Sequence, residues 1–169
     1  ENLKIRRFAQ IEENNGFIAS YIHMGGKIGV LVDVETDVVN PAIEEMAKNV
    51  AMQAAALKPM YTNRSEVDPE YIAKETEIIT ITAKNEKPDA NDKIIEGMVK
   101  GRLNKELKEI CLLDQTYVKA EDGKQSVSAY VASVAKENSA NITIKGFVRF
   151  ETGEGLEKKN EDFAAEVAA

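Results

Sequence analysis

The sequence predicts an α+β fold: an antiparallel sheet, formed by a three-strand meander and a late returning strand, covered by helices and interrupted by an inserted antiparallel helical hairpin of the coiled-coil type. Three observations predict it. Asn15-Gly16 and Gly25-Gly26 are pairs that tolerate positive φ, and each stands between runs rich in β-branched or aromatic residues, the pattern of tight β-hairpins. From Asn40 the apolar spacing changes from alternation to helical recurrence. Between Asp68 and Leu112 two charged stretches carry only a narrow apolar seam, which suits two helices zipped together and otherwise wet.

The meander is expected over Leu3 to Glu12, Phe17 to Met24 and Lys27 to Val34. In its third strand Ile28, Val30, Val32 and Val34 share one face and are expected in the core, with Gly29, Leu31 and Asp33 on the other. The second strand is apolar on both sides, so the sheet needs helices on one face and more protein or a partner on the other. A helix follows, capped by Asn40 with Pro41 in its first turn, and presents Ile43, Met46, Ala47, Val50, Ala54 and Leu57 at helical spacing.

Asp68-Pro69 starts the first arm of the hairpin, which runs to about Glu86. Ile78 to Thr82 has strand propensity, yet the flanking Glu and Lys residues and the matching second arm favour helix. Lys87-Pro88 breaks the chain, and the second arm runs from near Asp89 to about Leu112 with Ile95, Val99, Leu103, Leu107 and Ile110 along one seam. Arms of that size project roughly 25 to 30 Å. Ser126 then caps a helix with Val127, Tyr130, Val131 and Val134 inward. Asn141 to Glu151 returns to the sheet, Ile142, Ile144, Val148 and Phe150 alternating with Thr143, Lys145, Phe147 and Arg149. The expected divisions are a core half-domain over 1–64 and 114–156, the hairpin over 65–113, and an acidic helical tail over 157–169.

Composition narrows the function. The 169 residues suit one domain, or one with an insertion, and 43% hydrophobic content with 30% charged residues is that of a chain that folds. A net charge of -7 argues against a grip on nucleic acid or anionic lipid. No apolar run reaches the roughly 18 residues of a membrane span. One cysteine, Cys111, and one histidine, His23, give no support to a zinc site, a histidine-assisted nucleophile or a disulfide framework, which suits a reducing cytosol. Glu1, where an initiator methionine would stand, suggests a processed chain or a fragment.

Individual residues say less. Gly25-Gly26-Lys27-Ile28-Gly29 has the flavour of a phosphate loop but lacks its spacing, and a hairpin turn explains it better. His23 beside that turn reads either as a half-exposed hairpin residue or as a partner contact. With 29 acidic residues, no pair of carboxylates signals acid-base catalysis.

The ordered motifs carry more. Tyr21-Ile22-His23-Met24-Gly25-Gly26-Lys27-Ile28-Gly29-Val30-Leu31-Val32, Ala47-Lys48-Asn49-Val50-Ala51-Met52-Gln53-Ala54-Ala55, Leu57-Lys58-Pro59, Ile95-Glu96-Gly97-Met98-Val99-Lys100-Gly101-Arg102 and Gln115-Thr116-Tyr117-Val118 follow in sequence. Phe147-Val148-Arg149-Phe150-Glu151-Thr152-Gly153-Glu154-Gly155-Leu156-Glu157-Lys158 and Asp162-Phe163-Ala164-Ala165-Glu166-Val167 complete them. Together they resemble bacterial elongation factor Ts over essentially the whole chain.

The resemblance implies a cytoplasmic guanine-nucleotide exchange factor of protein synthesis that binds the GTPase elongation factor Tu and promotes GDP release, with no enzymatic residues and no cofactor. It implies partner contacts at Tyr21, His23, Met24, Gly25 and Gly26, facing the third domain of elongation factor Tu, at the hairpin tip with Lys87 and Pro88, and at the tail with Phe163 and Val167. Similar members begin with a small helical domain and a first core half carrying a Thr-Asp-Phe motif whose Phe wedges near the nucleotide's magnesium region. Both stretches are missing here, and Thr36-Asp37-Val38 echoes the motif only in part. The alternatives are a homodimerising or adaptor module without exchange activity and, more remotely, an α+β hydrolase.

Overall fold

A computed structural model of the chain describes residues 5–156. Within them lie four α-helices and one three-stranded antiparallel sheet. Strands β1 (Gly16–His23) and β2 (Ile28–Thr36) form a hairpin, and β3 (Ile142–Glu151) returns to the far side of β2, in the order β1-β2-β3. Helices α1 (Pro41–Leu57) and α4 (Val127–Glu137) cover one face of the sheet, while α2 (Pro69–Glu86) and α3 (Asp92–Ile110) pack against each other.

The core is the layer between α1 and β2. Ile28, Val30, Val32 and Val34 of β2 meet Ile43, Met46, Ala47, Val50 and Ala54 of α1, all buried. Asn40 caps α1 by accepting the Ile43 N–H at 2.9 Å, with Pro41 in the first turn. The one uncharged polar side chain that α1 buries completely, Gln53, spends its amide on neighbouring chain: Nε2 donates to the Thr116 carbonyl and Gln115 Oε1, and Oε1 accepts the Val118 N–H. A buried amide so satisfied ties the 115–118 loop to the helix.

The sheet departs from expectation at its start. Residues 5–13 carry no strand, so the strand expected over Leu3 to Glu12 is not formed in its described part. Asn15-Gly16 is also not a two-residue turn. Gly16 opens β1 so close to β2 that a Cβ built on it would lie 1.9 Å from the Val34 carbonyl oxygen, and Asn15 O accepts the Thr36 N–H. Glycine serves close approach here, not reversal. The second reversal uses four residues, Met24 to Lys27, with Met24, Gly25 and Gly26 all at positive φ.

β3 alternates as expected only in part. A register shift opposite Asp33/Val34 leaves Lys145 without a partner on β2, so the face exchanges along the strand. Ile144 faces the core opposite Val34; beyond the bulge Phe147 and Arg149 take that side, while Val148 and Phe150 turn to the other.

In the hairpin the segment Ile78 to Thr82 is helical despite its β-branched content. Thr76, Thr80 and Thr82 each donate a hydroxyl to the carbonyl four residues back, which satisfies them within α2. Asp68 and Asn91 cap α2 and α3. The seam is thin: Ala83 and Ile95 are the fully buried side chains of the two arms. At the stem, Met60 and Tyr61 donate to the Ile110 carbonyl, and Leu112 and Leu113 donate to Tyr61 and Thr62. The two ends of the excursion are therefore side by side.

Candidate functional site

The hairpin β1-β2 delivers the residues that sequence reasoning singled out. Tyr21 and His23 are two apart on β1 and so project from the same face, opposite Val30 and Ile28. The Tyr21 hydroxyl and His23 Nδ1 are 2.9 Å apart, and the two rings are 5.7 Å centre to centre. This contact fixes the imidazole's orientation, leaving Nε2 as the ring nitrogen outside the pair.

Beyond His23 the chain turns through Met24, Gly25 and Gly26. Met24 is 61% exposed although its φ is +51°, a conformation that favours glycine. A Cβ on Gly25 or Gly26 would meet no atom within 4 Å, so both stand clear of the body. The loop is held from behind, because Thr152 N–H donates to the Lys27 carbonyl at 2.8 Å and β3 pairs Glu151 with Ile28. Glu151 is itself gripped by Lys58 at 2.8 Å and Arg149 at 2.9 Å, which hold its carboxyl below the usual range. An exposed methionine on such a braced loop is a flexible apolar side chain on a fixed mount.

Lys87 and Pro88 lie at the hairpin tip, exposed. Lys87 ends α2 by donating its N–H to the Ala83 carbonyl, and its own carbonyl accepts the Ala90 N–H. Behind the tip Arg102 of α3 makes two hydrogen bonds to the Glu86 carboxylate, at 2.5 and 3.1 Å, which lower the Glu86 pKa and lock the arms together. With 18 residues in α2, the tip stands about 27 Å from the stem. Loop and tip are thus separate stations. Phe163 and Val167 lie outside the described residues.

One feature beside His23 was not legible in the sequence. A groove of about 480 Å³ runs between β1 and the outer face of α1, lined by Tyr21, Glu44, Lys48, Asn49, Met52 and Lys119 among others. Lys119 Nζ donates to Asn49 Oδ1 at 2.9 Å, and Asn49 Nδ2 donates to the Tyr130 hydroxyl at 2.9 Å. Lys48 and Met52 are four apart, so helical spacing puts them on one face, but nothing in their types announced a groove.

Among the described residues no three His, Cys, Asp or Glu side chains gather so as to hold a metal ion, and no helix is long and apolar enough to cross a membrane. Cys111 is buried in the stem, and desolvation raises its thiol pKa, the opposite of an activated nucleophile. The arrangement offers a braced apolar loop with an oriented imidazole and a distant polar tip.

A family model described as Elongation factor TS matches residues 1–154. Elongation factor Ts of Clostridioides difficile strain 630 is 54% identical over 168 residues, covering 99% of this chain and 54% of that protein. Elongation factor Ts of Clostridium botulinum strain Eklund 17B is 49% identical over 169 residues, covering 99% and 54%. The Clostridium acetobutylicum protein of the same name is 48% identical over 168 residues, covering 99% and 53%. The chain thus spans about half the length of the curated relatives it matches.

Proposed function

Because the chain belongs to the elongation factor Ts family, we propose that it is a cytoplasmic docking portion of a guanine-nucleotide exchange factor that binds elongation factor Tu, with no chemical step of its own. The observation that carries this reading is the Met24–Gly26 loop, exposed at its tip yet braced by β3 and flanked by a His23 ring that Tyr21 orients. Binding of that kind promotes exchange through linkage. A partner that prefers the opened, nucleotide-free GTPase lowers its affinity for GDP by the same factor by which GDP lowers the partner's affinity. Lys87 and Pro88 at the tip form a second contact, and Phe163 and Val167 a third.

These 169 residues contain no Thr-Asp-Phe motif, and Thr36-Asp37-Val38, which echoes it in part, is the connection from β2 to α1 and not the wedge. The expectation is binding without efficient exchange. Release of a fluorescent GDP analogue from elongation factor Tu is to be timed with this chain and with a version carrying the upstream half, alongside a direct binding titration. Slow release with measurable binding is expected. No binding overturns the docking assignment, and release as fast as with the longer version overturns the role given to the wedge.

A second reading, homodimerisation, is supported by the sheet's open face. Ile22, 67% exposed, stands there with Ile18, Leu31, Val148 and Phe150, on the side opposite α1. Sedimentation mass at rising concentration decides between a monomer and a dimer built on this face.

A further inference from the structure

The open face also carries a charged cluster that docking does not use. Glu13, in the segment before β1, reaches across the sheet with its side chain only 2% exposed. Its carboxylate accepts the Asn15 N–H at 2.7 Å and the Lys145 ammonium at 3.0 Å. Asp33 of β2 faces the same carboxylate. Asp33 Oδ1 is sealed from solvent and meets no donor among the described residues. Two carboxylates in such contact repel unless one carries a proton, in which case its O–H donates to the other.

The other charged groups facing Asp33 are Lys145, at the bulge of β3, and Glu35, two residues along β2, with Glu35 Oε2 3.7 Å from Lys145 Nζ. β1 places Ile18 opposite Asp33 and brings no charge. One ammonium thus stands against three carboxylates, and a bound proton relieves the imbalance.

We propose that Asp33 and Glu13 share one proton, that this proton clasps the segment before β1 onto the open face of the sheet, and that its loss loosens the segment. Residues 5–13 have no strand partner, so side chains hold them: Glu13 at one end, and at the other Arg7, which lies 4.5 Å over the Phe150 ring and pairs with Glu154 at 2.6 Å. On the same face Ile18 pairs across from Asp33, and Leu31 stands two residues before it.

The sign of the pH dependence follows. Burial, then the hydrogen bond and charge of Glu13, push the Asp33 carboxyl above its ordinary value. The Asn15 N–H, then Lys145, hold Glu13 down to about 2. A raised carboxyl contributes stability that is complete below its unfolded pKa and is lost as pH rises through the folded one. A lowered one contributes stability above its unfolded pKa that is lost as pH falls toward 2. The clasp is therefore tightest in mild acid and loosens on either side.

The test is a carboxyl-carbon and amide NMR titration of the whole chain. Asp33 is expected to titrate above its ordinary value, and the Asn15 amide proton to shift with the same midpoint. In Asp33→Asn, whose amide donates permanently to Glu13, the Asn15 resonance should stay near its mild-acid position as pH rises. In Glu13→Gln, which offers Asp33 a donor without a charge, the Asp33 midpoint should fall. An Asp33 midpoint at or below its ordinary value, an Asn15 amide that does not follow it, or an Asp33 midpoint unmoved by Glu13→Gln overturns the proposal.

Discussion

The Tyr21 hydroxyl meets His23 Nδ1 at 2.9 Å, two residues apart on one face of β1, so that the imidazole's orientation is set before any partner arrives. Pre-orientation of an interface side chain lowers the entropy lost on binding. On the proposed docking, His23→Ala should weaken binding to elongation factor Tu by about tenfold, the loss expected of about 1.4 kcal/mol at a contact residue. Tyr21→Phe should produce a smaller loss, since the ring remains and only the tether goes. Titration calorimetry measures both. A circular dichroism melt far below the parent's in His23→Ala would show the residue to be structural instead.

Gly16→Ala should destabilise the domain. Its Cβ would stand 1.9 Å from the Val34 carbonyl oxygen, a backbone atom that cannot swing aside, so the strands must separate locally. The cost is expected at about 1–3 kcal/mol, the range of overpacked sites, and a urea midpoint lower than the parent's with an unchanged slope would register it. An unchanged midpoint would mean that β1 can shift freely at its start.

Deletion of the helical excursion should leave the sheet domain folded. The stem already brings Met60 to Thr62 against Ile110 to Leu113 through backbone hydrogen bonds, so a short Gly/Ser linker replacing 65–109 has little distance to span. The α1-sheet core draws only Leu112 and Tyr117 from residues 65–120 as fully buried members, and both survive the deletion. A cooperative melt with reduced helical ellipticity is expected, together with loss of any contact made by Lys87 and Pro88. An aggregated or molten product would show that the arms support the sheet.

Asp37 should make acid tolerance local. Its carboxylate accepts the Asn141 N–H at 2.8 Å and the Asn141 side-chain amide at 2.7 Å, joining the end of β2 to the start of β3 across 104 residues of chain. These bonds, the backbone one first, lower its pKa. Its contribution is therefore present above the ordinary carboxylate range and is lost as pH falls through the depressed value. Asp37→Ala should lower the melting temperature at neutral pH, and the gap to the parent should close as pH falls below the ordinary carboxylate range. A gap that stays constant with pH would assign the effect to something other than this carboxylate.

Much of the architecture was legible because local chemistry decides it. Asn40-Pro41, Asp68-Pro69 and Ser126 mark helix starts, where the Asn40, Asp68 and Ser126 side chains accept first-turn N–H groups, and the alternation from Ile28 to Val34 marks a strand whose inward face is buried. Lys87-Pro88 marks where α2 stops. At the helix ends the decisive partners lie within four residues of one another, and along β2 the alternation is itself local, so a one-dimensional reading contains both.

Where the partners are distant in sequence, the reading failed or was silent. Asn15-Gly16 looks like a turn, and only the presence of the Val34 carbonyl at Gly16 shows that glycine is there to let two strands close. The bulge at Lys145 depends on where β2 lies, so the exchange of faces that brings Phe147 inward and Phe150 outward was invisible in the alternation of β3 itself. Composition and motif order established an α+β domain with a helical excursion and the family to which it belongs. Tertiary structure alone decided that residues 5–13 remain outside the sheet, that Tyr21 steadies His23, and that Asp33 and Glu13 confront each other, because each depends on through-space contact between groups whose types and spacing carry no record of it.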